Sequence, residues 1–289
     1  NLKVVKNKPK ISDVEIFLKT NNNSINTKEF KKYFNLQESL VEDQVLNLDS
    51  NFFINFSMDD KFNINKLDVR SDLNFDNLDI NYKSNFVKKY IENYENKISI
   101  KNPNITIKYK NDKINIKVDG KYSFNNKKDN FFIKFEGNKN NFELYSLLNL
   151  NKNIININEI QYYKKNKIPS ELEISLKKSK KGINFKKISF KENQNYISAK
   201  NLNISPNLKI QSVEEIDVNF LNTNEILNNF KIKKNSNNYN FIGYQIDGEQ
   251  LVERLLKGDK KNKISKLFQN INSSLNLNIN KIYLEKDTY

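Results

Sequence analysis

From about Leu46 to Leu284 the apolar residues of this chain recur mostly at every second position, and only short stretches carry a helical period. Ile98 and Ile100, then Ile105, Ile107 and Tyr109, then Ile114, Ile116 and Val118 each mark a strand with one apolar face. Tyr122 and Phe124 follow, then Phe131, Ile133 and Phe135. The pattern resumes at Ile155 and Ile157, at Leu172, Ile174 and Leu176, and at Ile183, Phe185, Ile188 and Phe190. It continues through Ile197, Leu202, Ile204, Ile210, Val213, Ile216, Val218 and Phe220. Asn111-Asp112, Asp119-Gly120, Asn125-Asn126 and Gly137-Asn138 supply turn chemistry, because Asn and Gly tolerate positive φ. Short turns between such strands predict an antiparallel meander of some eighteen strands.

The helical segments predicted are few. Asn26 or Thr27 caps a short helix bearing Phe30, Tyr33 and Phe34, and a second begins near Ser84 with Phe86, Val87, Tyr90, Ile91 and Tyr94 as its stripe. Leu144, Tyr145, Leu147 and Leu148 suggest a helical turn, and Thr223–Asn229 another short helix. Asn1–Lys10 reads as basic and irregular, Ile11–Leu18 as a strand, and Asn21–Ser24 as a loop. So little helix cannot cover the apolar faces, and an exposed patch of that size is rare on a soluble monomer. The chain must fold two sheets together, close a barrel, or curl one sheet so that its apolar face lines a trough. No linker rich in Pro, Gly or Ser divides it, so residues 1–289 read as one continuous, elongated domain.

Composition removes several function classes. There is no Cys and no His, so disulfides, Cys/His zinc sites, thiol nucleophiles and His-dependent triads are excluded. Of 49 basic residues only Arg70 and Arg254 are arginine. The net charge of +15 therefore lacks the bidentate donors of base readers, and no nucleic-acid partner is expected. Roughly a fifth of the chain is Asn, and a coding bias toward A/T-rich codons would give this profile without selection for binding. The Lys content still allows weak attraction to anionic membranes. Asp72-Leu-Asn-Phe-Asp76 opens like a calcium loop, but Asn77 and Lys83 stand where Gly and a bidentate Glu are needed. Glu214-Glu215 are strand neighbours facing opposite sides, which prevents shared acid–base work. No catalytic residue, metal site or cofactor site emerges, and no apolar run reaches the length of a membrane-spanning helix. The chain stops at Lys286–Tyr289 directly after a strand, which reads as a segment of something longer.

One unit near the end breaks the alternation. Tyr239 and Phe241 lie on one parity before Gly243, and Tyr244 and Ile246 on the other after it. Leu251, Val252, Leu255 and Leu256 then fall at helical spacing, with Asp247 at the N-cap, Gln250 completing a capping box and Gly258 at the C-terminus. Alternation returns with Leu275, Leu277 and Ile279, then Ile282 and Leu284.

This strand–helix–strand unit, residues 239–285, resembles the AsmA-like proteins of the Gram-negative envelope, most closely their YhdP branch. The resemblance rests on Gly243–Asp247, on Leu251–Leu256 and on Leu275–Ile282, and elsewhere only on the style of the strands. It implies a mainly β fold, an elongated antiparallel sheet curled into an open hydrophobic groove with a few short helices. Ile114, Ile116, Val118, Ile133, Phe135, Leu172, Ile174, Leu176, Leu275, Leu277 and Ile279 would line that groove, and Leu251, Val252, Leu255 and Leu256 would close one edge or end. It further implies a non-enzymatic role, phospholipid transfer between inner and outer membranes. The partners are then phospholipid acyl chains, each buried methylene contributing roughly 0.8 kcal/mol. The location implied is the periplasm, with an inner-membrane anchor outside this sequence, and a monomer is expected. The alternation itself is equally met by a closed β-sandwich or β-solenoid serving as an interaction or adhesion module.

Overall fold

The structure, a computed structural model, describes residues 2–8, 11–34, 40–124, 127–236, 238–249 and 274–284. Of these, 72% lie in strands and 6% in helices. The fold is mainly β, with a large antiparallel-dominated sheet that is not closed into a barrel and two short helices. The chain divides into two compact units, Asn1–Asn85 with Asn93–Leu144, and Phe86–Glu92 with Tyr145–Tyr289.

The first unit contains β1 (Leu2–Lys8), β2 (Ile11–Asn26), α1 (Thr27–Phe34), β3 (Val45–Asp59), β4 (Ile64–Phe75), β5 (Asn77–Asn81), β6 (Lys97–Lys110), β7 (Lys113–Phe124) and β8 (Lys127–Gly137). Antiparallel pairing runs β1–β2–β3–β4–β6–β7–β8, and β5 continues β4 along β6 past the bend at Asp76. Asn26 caps α1 by accepting the N–H of Lys28 at 2.9 Å. Asn111 and Asp112 both take positive φ, 51° and 58°, which is the hairpin turn that joins β6 to β7.

Several sequence expectations are corrected in this unit. Leu2–Lys8 is a strand, because Ile11–Ile16 offers it a register-matched partner. Asn21–Ser24 stays within β2 through a bulge, with Asn22 at φ 55° and its N–H donated to Asp49 at 2.7 Å. Asp119-Gly120 is not a turn but mid-strand in β7. A Cβ on Gly120 would stand 3.0 Å from the Cα of Pro103, so the glycine makes room for the bulge that carries a proline through β6.

Next along the chain, β9 (Phe142–Asn149) occupies the stretch expected to form a helical turn. The second helix, α2 (Asn85–Tyr90), is shorter than its stripe: Phe86 is 73% exposed, Ile91 bridges to Ile155, and Tyr94 is buried beyond the helix.

The second unit holds a two-stranded ribbon, β10 (Ile155–Ile157) and β11 (Tyr162–Lys164). Its ladder comprises β12 (Ser170–Ser179), β13 (Gly182–Glu192), β14 (Asn195–Ile204), β15 (Ile210–Ser212), β16 (Glu215–Leu221), β17 (Leu227–Asn235), β18 (Asn238–Asp247) and β19 (Ser274–Tyr283). Pairing runs β12–β13–β14–β16–β17–β18–β19, with β15 on the end of β14. Thr223–Asn229 is not a helix. Asn222 accepts the N–H of Asn224 at 3.0 Å and of Ile226 at 2.9 Å, turning the chain directly into β17.

All these pairs are antiparallel except β18–β19, which is parallel. The two strands expected on either side of the helix are thus hydrogen-bonded neighbours. Asp247 makes an N-cap contact, accepting the N–H of Glu249 at 3.1 Å. Gln250, Leu251, Val252, Leu255, Leu256 and Gly258 lie outside the described residues.

The parity switch at Gly243 is a β-bulge: Phe230 pairs with Gly243 and Asn229 with Gln245, which leaves Tyr244 as the extra residue. A Cβ at position 243 would lie 2.5 Å from the Asn229 carbonyl and 2.6 Å from the Phe230 Cβ. Gly243→Ala should therefore cost about 2 kcal/mol or more through overpacking. Chemical denaturation measures this, and an unchanged midpoint would contradict the close approach.

Candidate functional site

In a ladder, residues directly opposite each other share a face, so the registers show how far the apolar positions join up. In the first unit one row reads Leu18, Phe52, Ser71, Ile107, Ile116, Phe135. The rows on either side contain Ile54, Val69, Tyr109 and Ile114, and Leu73, Ile105, Val118 and Ile133. In the second unit one row reads Leu172, Phe190, Ile197, Val218, Phe230, Gly243, Ile279, and the next Ile174, Ile188, Ala199, Ile216, Ile232, Phe241, Leu277. Leu176 joins Phe185 and Leu202 in a third row, and Leu275 stands opposite Tyr239. The residues expected to line a groove thus fall on these two apolar faces, five in the first unit and six in the second.

Each face is only partly covered. Ile114, Ile116, Val118, Ile133 and Phe135 are all half-buried, as are Leu172, Ile174, Leu176 and Ile279, and Leu277 is 58% exposed. Neighbouring side chains cover the flanks of such residues, while a second layer packed against mid-strand positions would bury them almost completely. The reverse faces are mostly polar and of mixed exposure: Arg70, Lys108 and Lys117 are exposed, Asn115, Lys134 and Glu173 half-buried, and Ser123 and Ser189 buried.

The fully buried residues include aliphatics such as Val14, Leu46, Leu150 and Val213, and most of the buried aromatics gather in clusters. In the first unit Tyr94, Tyr122, Phe124 and Phe131 meet edge to face, with centroids 5.0–6.2 Å apart. The Tyr94 hydroxyl donates to the Tyr82 carbonyl at 2.5 Å. In the second unit the ribbon places Tyr162, 1% exposed, against Phe190 and Phe220 at 5.8 and 5.4 Å. Its hydroxyl bonds to the Glu192 carboxylate, and burial, reinforced by that carboxylate, pushes its pKa up. The Lys164 ammonium is buried beside it and donates to the carbonyls of Asn153 at 2.7 Å and Lys165 at 3.1 Å. These tyrosines were not singled out as a site in the sequence. Tyr162 sits in a strand of three residues, too short for alternation to register, and Tyr94 was placed on a helix that ends at Tyr90.

The remaining acidic motifs do not converge. Asp72 accepts from the Thr106 hydroxyl at 3.0 Å and Asp76 from Asn47 at 3.0 Å. Glu214 accepts from Asn201 at 2.5 Å, while Glu215 pairs with Lys200 at 2.7 Å. Among the described residues there is no group of His, Cys, Asp or Glu placed to hold a metal, and no helix long and apolar enough to cross a membrane.

The hydrogen bond from the Lys200 ammonium holds the Glu215 carboxyl below its ordinary value of 4.5, against the opposing effect of burial. A carboxyl depressed in the folded state adds stability that is complete above its unfolded value and is lost as pH falls through the folded one. Lys200→Gln should therefore lower the melting temperature at neutral pH, and the two curves should converge as the pH drops below about 4.5. Parallel curves down to the acid end would contradict this role. Compared with known proteins, the chain matches no family model, no curated protein and no solved structure.

Proposed function

We propose that this chain is a segment of an AsmA-like envelope protein that carries phospholipid between the inner and outer membranes, with acyl chains lying on the apolar faces of its two ladders. The observation that supports this most is the half-burial of many residues along the apolar rows. Ile116 and Phe135, Leu172 and Ile174 keep part of their surface for something other than their own neighbours. The chemistry needs no covalent step. Acyl chains transfer from one apolar surface to another while the head group stays in water, and rows of Ile, Leu, Val and Phe offer similar affinity at successive positions. The resemblance at residues 239–285 supplies the family and the periplasmic, inner-membrane-anchored setting.

The test is a photo-crosslinkable residue placed singly at positions 114 to 118 and exposed to a monomeric phospholipid probe. Crosslinks are expected at 114, 116 and 118 and not at 115 or 117, since alternate side chains face opposite sides. Ile116→Glu should abolish lipid capture and leave the circular dichroism spectrum intact, because a charge on an open face can reach water. Asn130→Glu, on the polar face opposite Lys121, should leave capture unchanged. If Ile116→Glu unfolds the protein, the interior is a filled core. Crosslinks at none of the five positions in folded protein would remove the lipid-carrying reading.

A further inference from the structure

The reverse side of the first ladder carries an arrangement that the apolar face does not explain. On β6, β7 and β8, Lys110 stands opposite Lys113, Lys101 opposite Lys121, and Lys117 opposite Lys134. Like charges directly opposed across a sheet are destabilising, so three such pairs on three adjacent strands work against the fold. The nearby acids relieve one member of two of these pairs, Lys134 through Glu136 and Lys110 through Asp68, and neither member of the Lys101–Lys121 pair. Glu136 is taken by Lys134 at 3.1 Å and by Asn115 at 3.3 Å, and Asp119 accepts from Asn104 at 3.0 Å. On β4, Asp68 is shared by Arg70 and Lys110, and Asp72 accepts from Thr106. Lys101, Lys108, Lys113, Lys117, Lys121 and Lys128 are left without a carboxylate partner among the described residues, and all but Lys101 are exposed.

We propose that the outward face of β6–β8 is a docking surface for an anionic phospholipid bilayer. Charge complementarity is the first argument: a bilayer presents its phosphates over a broad surface, and these lysines project from one face of three adjacent strands. Strands ~4.8 Å apart with same-face residues ~6.8 Å apart give a dense two-dimensional array rather than a line. Lysine is the second argument. Its compact charge on a flexible stem suits a fluid surface of head groups, whereas nucleic-acid recognition relies on the arginine fork or on aromatic stacking platforms. These three strands hold no arginine, and Phe132 is the one aromatic side chain on that face. The proposal is independent of the lipid-carrying reading, which uses the opposite face of the same strands.

Co-sedimentation of the full chain with vesicles of phosphatidylcholine containing about a quarter phosphatidylglycerol tests it, since each surface lysine strengthens binding ~5-fold. The wild type should bind these vesicles, ignore pure phosphatidylcholine, and release in high salt. The triple variant Lys113→Gln, Lys117→Gln, Lys121→Gln should lose ~100-fold in partitioning. Without vesicles it should melt at or above the wild-type temperature, because opposed charges are removed. Lys181→Gln, Lys209→Gln, Lys234→Gln has the same net charge but alters exposed lysines of the second unit, and it should lose far less. Replacing the β7 lysines by arginine keeps the charge and should keep the binding. The proposal is overturned if the wild type ignores the anionic vesicles, if the two glutamine triples lose equally, or if the arginine variant fails to bind. Capture of a single-stranded oligonucleotide in preference to the vesicles would overturn it in favour of a nucleic-acid surface.

Discussion

A sheet with one apolar face must put something against that face, and this constraint governs the rest of the structure. Helices make up 6% of the described residues, too few among those residues to cover the apolar faces. The chain covers its apolar rows locally instead. Tyr94 with Tyr122, Phe124 and Phe131 forms a buried cluster in one unit, and the ribbon carrying Tyr162 does so in the other. Away from these clusters most residues of the rows remain half-buried.

The polar components reinforce that division. Tyr162 can be buried because Glu192 accepts the hydrogen bond from its hydroxyl, and Lys164 because backbone carbonyls accept from its ammonium. On the reverse face of the second ladder, cross-strand pairs such as Lys187–Glu173, Lys200–Glu215 and Lys231–Asp217 set register in the way apolar pairs do on the front. Lys187 stands opposite Lys200 there as well, but each has its own carboxylate, whereas on β6–β8 Lys101 faces Lys121 with a carboxylate on neither. That contrast makes the outward face of the first ladder a candidate surface rather than a uniform consequence of a Lys-rich composition.

Much of this was legible in the sequence, because period-two alternation is set by local geometry. The strands around Ile105, Ile116, Ile133, Ile174 and Ile188 stand where their pattern put them, and their apolar parity matches the apolar face. What failed had tertiary causes. Leu144–Leu148 carries helical spacing but forms part of β9, and Leu2–Lys8 becomes a strand only because Ile11–Ile16 pairs with it. Asp119-Gly120 has turn chemistry, yet its glycine serves the close approach of Pro103. The parity change at Gly243 was visible, but its cause, one extra residue opposite Asn229 and Phe230, required the partner strand. Asn21–Ser24 reads as a loop, yet Asn22, like Asn102 and Asn201 elsewhere, takes positive φ within a strand, a role that six glycines in the whole chain leave largely to asparagine.

The central claim is that the apolar faces are surfaces for acyl chains and not the halves of a filled core. Native mass spectrometry of protein purified without detergent tests it most directly. The account predicts adducts whose masses match intact phospholipids, released by gentle activation without loss of the folded charge-state distribution. A folded protein at its bare polypeptide mass, unchanged after incubation with phospholipid, would contradict it.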